Sequence, residues 1–143
     1  MGLSPIQTPR SWSPGLCHVI LFLEALQCMG LVDLLLLLVM GHFLCDFPLQ
    51  SSQMAIEKCP GCDKALPWPY WLISHGAVHG FAVALLTGIP LLGAAEWFFH
   101  CAIDFSKCRF GFSLLFDQLL HLICKFVWVI IALSLTFGSS QLL

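Results

Sequence analysis

Long apolar runs, separated by prolines, glycines and short polar stretches, make up most of the chain. The first run stops at Pro48, which cannot continue a helix. Gly88-Ile89-Pro90 combines a helix stop with a helix start, and Ser113 is a suitable N-cap for the last run. The pattern therefore predicts an all-α fold with four helices, over residues 31–47, 70–87, 91–107 and 113–137.

The composition indicates that these helices are membrane spans. The chain has 143 residues, of which 59% are hydrophobic and 10% charged, with a mean hydropathy of +0.90. A soluble domain carries about 25% charged residues, so this chain has too little polar surface to cover a water-exposed globule. We expect a polytopic membrane protein, a four-transmembrane-helix bundle with the lipid bilayer around it. The net charge of −2 provides no basic surface, which disfavours a nucleic-acid partner.

The first 28 residues differ from the rest. Residues 1–15 are rich in proline and serine and predict an N-terminal tail, and residues 16–26 form a short apolar run. A signal peptide is one interpretation, but small residues are missing before a cleavage site, and an interfacial helix is favoured. Met29 is an alternative start, so residues 1–28 form the tail and residues 29–143 the transmembrane domain.

Lysines and arginines predict the orientation. The loops after the first and third helices carry four of them, at positions 58, 64, 107 and 109. The other side has Arg10 alone. The positive-inside rule then places loops one and three in the cytoplasm and both termini outside, for a protein of the bacterial inner membrane.

Four pairs of ionisable residues recur at a spacing of four. Positions i and i+4 share one face of a helix. Each pair lies at the helix end next to loop one or loop three, so the four stripes can converge at one depth in a bundle. The pairs are His42/Asp46, His75/His79, His100/Asp104 and Asp117/His121.

Imidazoles and carboxylates without thiolates suit zinc, manganese or iron. We therefore interpret all eight residues as candidate ligands of a divalent metal, held as one ion or two. Asp46 and Asp117 are candidate catalytic carboxylates, either of which could act as general base. A single His/Asp pair is more often an internal hydrogen bond, and only the agreement of four pairs favours a functional site.

The polar residues next to these pairs each have two interpretations. Glu96 and Lys125 continue two of the stripes and are either partners of the cluster or interfacial and snorkelling charges. Gln50 and Gln118 are candidate hydrogen-bond partners of ligands. Among the eight cysteines, Cys59 and Cys62 form a CxxC in loop one that is half of a zinc site at most, and no disulfide framework is predicted.

The chain resembles a family of small bacterial and phage membrane proteins, known as domain of unknown function 3307. The resemblance covers about residues 31–133 and rests on Gly41-His42 through Gln50, Ser74-His75 through Gly80, His100 through Asp104 with Lys107, and Asp117-Gln118 through His121. It implies a membrane protein but no activity. A looser similarity to inner-membrane metal-dependent hydrolases rests only on histidines and aspartates at span ends.

Three functions fit these observations. The first is a metal-dependent hydrolase of a lipid or lipid-linked substrate. The second is a cation or proton transport element, which predicts a polar path continuing to the far side. The third is a non-catalytic, phage-type membrane factor in which the polar groups specify helix packing. The sequence defines neither the substrate nor the oligomeric state.

Overall fold

A computed structural model describes residues 30–139, and over this range the fold is helical without strands. The predictions for the tail, the interfacial helix and Met29 lie outside the described residues. The all-α prediction is confirmed. The helices are α1 (Leu31–Asp46), α2 (Ser52–Glu57), α3 (Trp68–Thr87), α4 (Pro90–Phe110) and α5 (Leu114–Ser139).

The helix ends follow from local chemistry. Gly88 ends α3 in the left-handed region at φ 68°, and Pro90 starts α4. Gly111 ends α4 in the same conformation, and the Ser113 hydroxyl accepts from the Phe116 amide at 3.2 Å. Loop one, predicted as a loop only, also contains the short helix α2, whose first amides are capped by the Ser51 hydroxyl.

Two of the four predicted spans meet the length and hydropathy expected of a transmembrane helix, namely α3 and residues 114–136 of α5. Helix α1 has 16 residues, or about 24 Å, which is short of a hydrocarbon core of about 30 Å. Helix α4 has 21 residues, but its charged side chains, such as Glu96 and Asp104, lower its hydropathy. The four-span prediction therefore holds in part: the four long helices are present, and two are long and apolar enough to cross a membrane.

The distribution of polar and apolar residues is the reverse of that in a soluble protein, with ionisable side chains inside and large apolar side chains outside. The fully buried side chains include five histidines together with Lys125, Glu96, Asp104 and Asp117. Large apolar side chains such as Leu115, Phe98 and Phe81 instead cover the outside. A water-soluble monomer rarely exposes contiguous apolar surface on this scale. The distribution fits an apolar surrounding.

Small residues bring α3 and α4 together. A Cβ on Gly80 would lie 2.6 Å from the Gly93 carbonyl oxygen, and one on Gly76 would lie 2.4 Å from Cys101 Sγ. Such contacts are impossible for a larger side chain, so the glycines permit the close crossing of the two backbones. As a result, the His79 ring of α3 stacks on the His100 ring of α4 with 3.6 Å between centroids.

Candidate metal centre

Five histidines and three aspartates from α1, α3, α4 and α5 form a single buried assembly, which we call the polar cluster. Its imidazole rings lie against one another, with centroids 4.1 Å apart for His100 and His121 and 5.1 Å apart for His42 and His79. The structure thus brings together all eight predicted site residues, whose roles stay predictions. They are His42, Asp46, His75, His79, His100, Asp104, Asp117 and His121.

One candidate ligand group consists of Asp46, His75, His79 and His100, whose ligand atoms all lie within 4.8 Å of one another. Asp46 Oδ1 is 3.1 Å from His75 Nε2 and 3.5 Å from His79 Nε2. Two ligand atoms on a tetrahedral ion, each at about 2.05 Å, are separated by about 3.3 Å. This part of the group therefore already has the spacing that a bound ion imposes.

A second candidate group consists of His100, Asp104 and His121, again with ligand atoms within 4.8 Å. His121 Nε2 lies 3.6 Å from Asp104 Oδ1, and His100 Nε2 lies 3.7 Å from Asp104 Oδ2. Among the described residues, the Nε2 atoms of His79, His100 and His121 are buried and have no hydrogen-bond partner. Buried polar atoms are normally paired, so these atoms are available to a metal.

Several contacts orient these ligand atoms. Gln118 Nε2 donates to Asp46 Oδ2 at 2.5 Å, leaving Oδ1 directed at His75 and His79. His100 Nδ1 lies 3.3 Å from Glu96 Oε1, which leaves its Nε2 facing the cluster. Such outer partners select the tautomer and raise the basicity of metal-bound imidazoles. The predicted supporting roles of Gln118 and Glu96 have a geometric basis here.

Two predicted ligands lie outside both groups. His42 Nε2 is 3.2 Å from Gln118 Oε1, so His42 contacts the residue that holds Asp46. Asp117 Oδ2 accepts from Lys107 Nζ at 2.7 Å, while its Oδ1 is buried without a partner in the described region and lies 3.7 Å from His121 Nε2. The geometry makes these two residues neighbours of the candidate ligands.

Lysines in loop one and at the end of α4 complete the cluster. Lys58 Nζ donates to Asp104 Oδ2 at 2.5 Å, and Lys107 pairs with Asp117. In the sequence, both lysines contributed to the predicted orientation, and Lys107 was also part of the family resemblance. Lys107 follows His100 and Asp104 on one helical stripe, which was a usable signal for its proximity. Lys58 gave no such signal, because it reaches the cluster through the path of a loop.

A disulfide joins Cys59 in loop one to Cys108 near the end of α4, with Cα atoms 5.4 Å apart. The sequence predicted no disulfide framework and did not identify this pair. The two cysteines of the CxxC do not act together, since Cys59 is bonded to Cys108 and Cys62 is free and exposed. Cys45, Cys101 and Cys124 are free thiols, as expected of cysteines in apolar helices. Cys59 directly follows Lys58 in the chain. The bond therefore ties loop one, next to Lys58, to the helix that carries Asp104.

Glu57 organises the remainder of loop one. Its carboxylate accepts from the amides of Ala65 at 2.9 Å and Lys64 at 3.2 Å, and from Gln53 Nε2 at 2.8 Å. These bonds, led by the one from Ala65, lower the pKa of Glu57 to about 2. The charged carboxylate therefore holds the loop in the conformation that presents Lys58 to Asp104.

Fold and site together define a class: an all-helical bundle whose buried His/Asp groups could hold a metal ion. The chain belongs to the family described as "Protein of unknown function (DUF3307)", which it matches over residues 34–143. The resemblance seen in the sequence is thereby confirmed, whereas the looser similarity to metal-dependent hydrolases finds no support. No curated protein and no solved structure matches the chain.

Proposed function

We propose that the protein is an integral membrane metalloprotein whose polar cluster binds a divalent cation, zinc, manganese or iron. The observation that carries the proposal is the distance from Asp46 Oδ1 to His75 Nε2 and to His79 Nε2, 3.1 Å and 3.5 Å, which brackets the separation of about 3.3 Å between two ligands of one tetrahedral ion. Three unpaired, buried Nε2 atoms in the same assembly support it. In a purely structural network these atoms would make hydrogen bonds of about 2.7–3.2 Å, whereas the carboxylate oxygens beside His79, His100 and His121 are 3.5, 3.7 and 3.6 Å away.

The number of ligands allows a metal to keep an open coordination position. An imidazole nitrogen has one lone pair, so His100 Nε2 can serve only one of the two groups at a time. If it serves the second, Asp46, His75 and His79 form a three-ligand site with an open position, as in catalytic zinc sites. A metal there would supply an activated water, and the free Oδ1 of Asp117 is a candidate proton acceptor.

From these features we infer a hydrolase acting on a lipid or lipid-linked substrate, since the site lies in an apolar surrounding near one end of the bundle. Transport is less well supported. Beyond the cluster, Glu96 and Lys125 pair with each other at 2.5 Å, and Leu38, Val83 and Val129 form a buried apolar core. A polar path to the far side is absent from this described part of the chain.

Metal content tests the proposal. We expect the detergent-purified full chain to retain stoichiometric metal, measured by elemental mass spectrometry. Asp46→Ala, His100→Ala and His121→Ala should each lose metal, because each removes a member of a candidate ligand group. Asp33→Ala, which removes an exposed aspartate of α1, is the matched control and should retain it. A well-folded, metal-free wild type would contradict the proposal and favour a structural factor.

Orientation is a separate part of the proposal. Charge bias places loops one and three in the cytoplasm. The Cys59–Cys108 bond argues for the opposite side, because disulfides persist in oxidising compartments. The charge bias is also weaker than the count suggests, because two of its four charges, Lys58 and Lys107, are paired with aspartates within the bundle. We favour the oxidising side, and expect a membrane-impermeant maleimide on intact cells to give labelling that Cys62→Ser reduces, since Cys62 is free and exposed. If Cys62→Ser reduces the labelling only after permeabilisation, loop one is cytoplasmic.

A further inference from the structure

A polar pocket of about 360 Å³ opens from the loop-one end of the bundle onto the polar cluster. We call it the mouth; its polar lining consists of Asp46, Gln50, Ser52, Lys58 and Lys107. Asp46 belongs both to the mouth and to the first candidate ligand group. A ligand in the mouth would therefore lie beside a metal bound there.

The charges around the mouth favour an anion once a metal is present. Three aspartates, at positions 46, 104 and 117, face two lysines, and the Glu96–Lys125 pair is neutral as a unit. With neutral histidines, the assembly carries one net negative charge. One divalent cation turns this into one net positive charge, and a second cation raises it further. In water-excluded surroundings such an excess is costly unless an anionic ligand balances it.

An apolar groove of about 860 Å³ lies between α1 and α3 and shares one lining residue, Phe47, with the mouth. It extends along α1 from Phe47 back to Leu37, about 15 Å at the helical rise, which is half of a hydrocarbon core of about 30 Å. Its α3 wall includes Val78, Ala82 and Leu85. The groove therefore has the length of one leaflet and ends at the level of the charged groups.

We propose that this composite site takes an anionic phosphodiester lipid from the leaflet at the loop-one end. One acyl chain lies in the groove, and the phosphate lies in the mouth beside Lys58 and Lys107. Two features argue for this occupant over a neutral lipid: the position of the groove next to the mouth, since Phe47 lines both, and the charge left by a bound cation. The inference rests on the proposed metal site, and it adds the substrate class.

Native mass spectrometry of the metal-loaded full chain in detergent tests it with three probes: dioleoyl phosphatidylglycerol, dioleoylglycerol and inorganic phosphate. We expect phosphatidylglycerol to bind at least about tenfold more tightly than dioleoylglycerol, which has the same chains without the phosphate. Inorganic phosphate, which lacks the chains, should compete only weakly. Ala82→Phe fills the groove and should weaken phosphatidylglycerol binding about tenfold, with metal content unchanged.

Ala94→Phe is the matched control, because Ala94 lines a different apolar groove of about 300 Å³ between α3 and α4 near Pro90. It should leave lipid binding intact. Metal-loaded protein that binds dioleoylglycerol as tightly, or that is indifferent to Ala82→Phe, overturns this inference while the metal site stands. Free phosphate that displaces the lipid at equal concentration shows that the mouth alone binds, and also overturns it. A wild type without metal overturns both proposals.

Discussion

The two halves of the helical bundle are built on different principles. Toward loop one, the polar cluster is assembled from charged and hydrogen-bonding side chains whose positions are set by specific partners, such as Gln118 for Asp46. Toward the other end, apolar residues pack by shape, among them Leu34, Leu38, Val83, Leu92, Trp128, Val129 and Ala132. The same four long helices supply both halves. Loss of a partner should therefore disturb the first half, and loss of volume the second.

The boundary between the halves should be the most sensitive point. Lys125 Nζ and Trp128 Nε1 both donate to Glu96, at 2.5 Å and 2.6 Å. Lys125→Ala leaves the Glu96 carboxylate buried without its cation and should cost about 3–5 kcal/mol of unfolding free energy. Thermal unfolding in detergent, followed by circular dichroism, measures the loss. The double variant Glu96→Gln/Lys125→Met removes both charges and should recover most of it; no recovery would show that the pair is not the cause.

Volume loss in the apolar half should separate stability from metal binding. Leu38 is 1% exposed, so Leu38→Ala should cost about 3 kcal/mol by leaving a cavity. Metal content should stay at the wild-type level, because Leu38 belongs to the apolar core and supplies no ligand atom. Equal metal loss in Leu38→Ala and Asp46→Ala would mean that the two halves are not independent. Leu36→Ala, at an exposed position of α1, is the control.

Sequence reasoning succeeded where the chemistry is periodic. The spacing of four put His100 and Asp104 on one face, and Pro48, Gly88 and Pro90 marked helix ends, since both signals are local. The spacing was enough to group the eight side chains into one site. Their division into two ligand sets depends on how each helix is rotated about its own axis relative to the others, and periodicity does not define that rotation.

Long-range and loop features could not be predicted in this way. Lys58 reaches Asp104, and Cys59 reaches Cys108, through a loop whose path depends on tertiary contacts. The close approach of α3 and α4 left a sequence signal that was not used: Gly76 and Gly80 are spaced by four, as in other close helix crossings.

Removal of the disulfide should have a smaller effect than either change above. Cys59→Ser removes the cross-link between two residues 49 positions apart and should cost about 2 kcal/mol. This is at the low end for a disulfide, because the proposed membrane spans would already restrict the unfolded chain. Cys62→Ser, which removes a free cysteine of the same loop, is the control. A Cys59→Ser variant with wild-type stability under non-reducing conditions would contradict a structural role for the bond.

The smallest effect should come from acid titration of Glu57, which stabilises loop one without touching the cluster. Its pKa is lowered from 4.5 to about 2, so the folded protein stabilises the charged carboxylate relative to the unfolded chain. The stability that Glu57 contributes is thus complete above about pH 4.5 and is lost as the pH falls toward about 2. Cleavage within loop one by an acid protease such as pepsin should accelerate through that window in the wild type. Glu57→Gln should be cleaved faster throughout, without the additional acceleration, and a parallel pH dependence in both would mean that another group titrates.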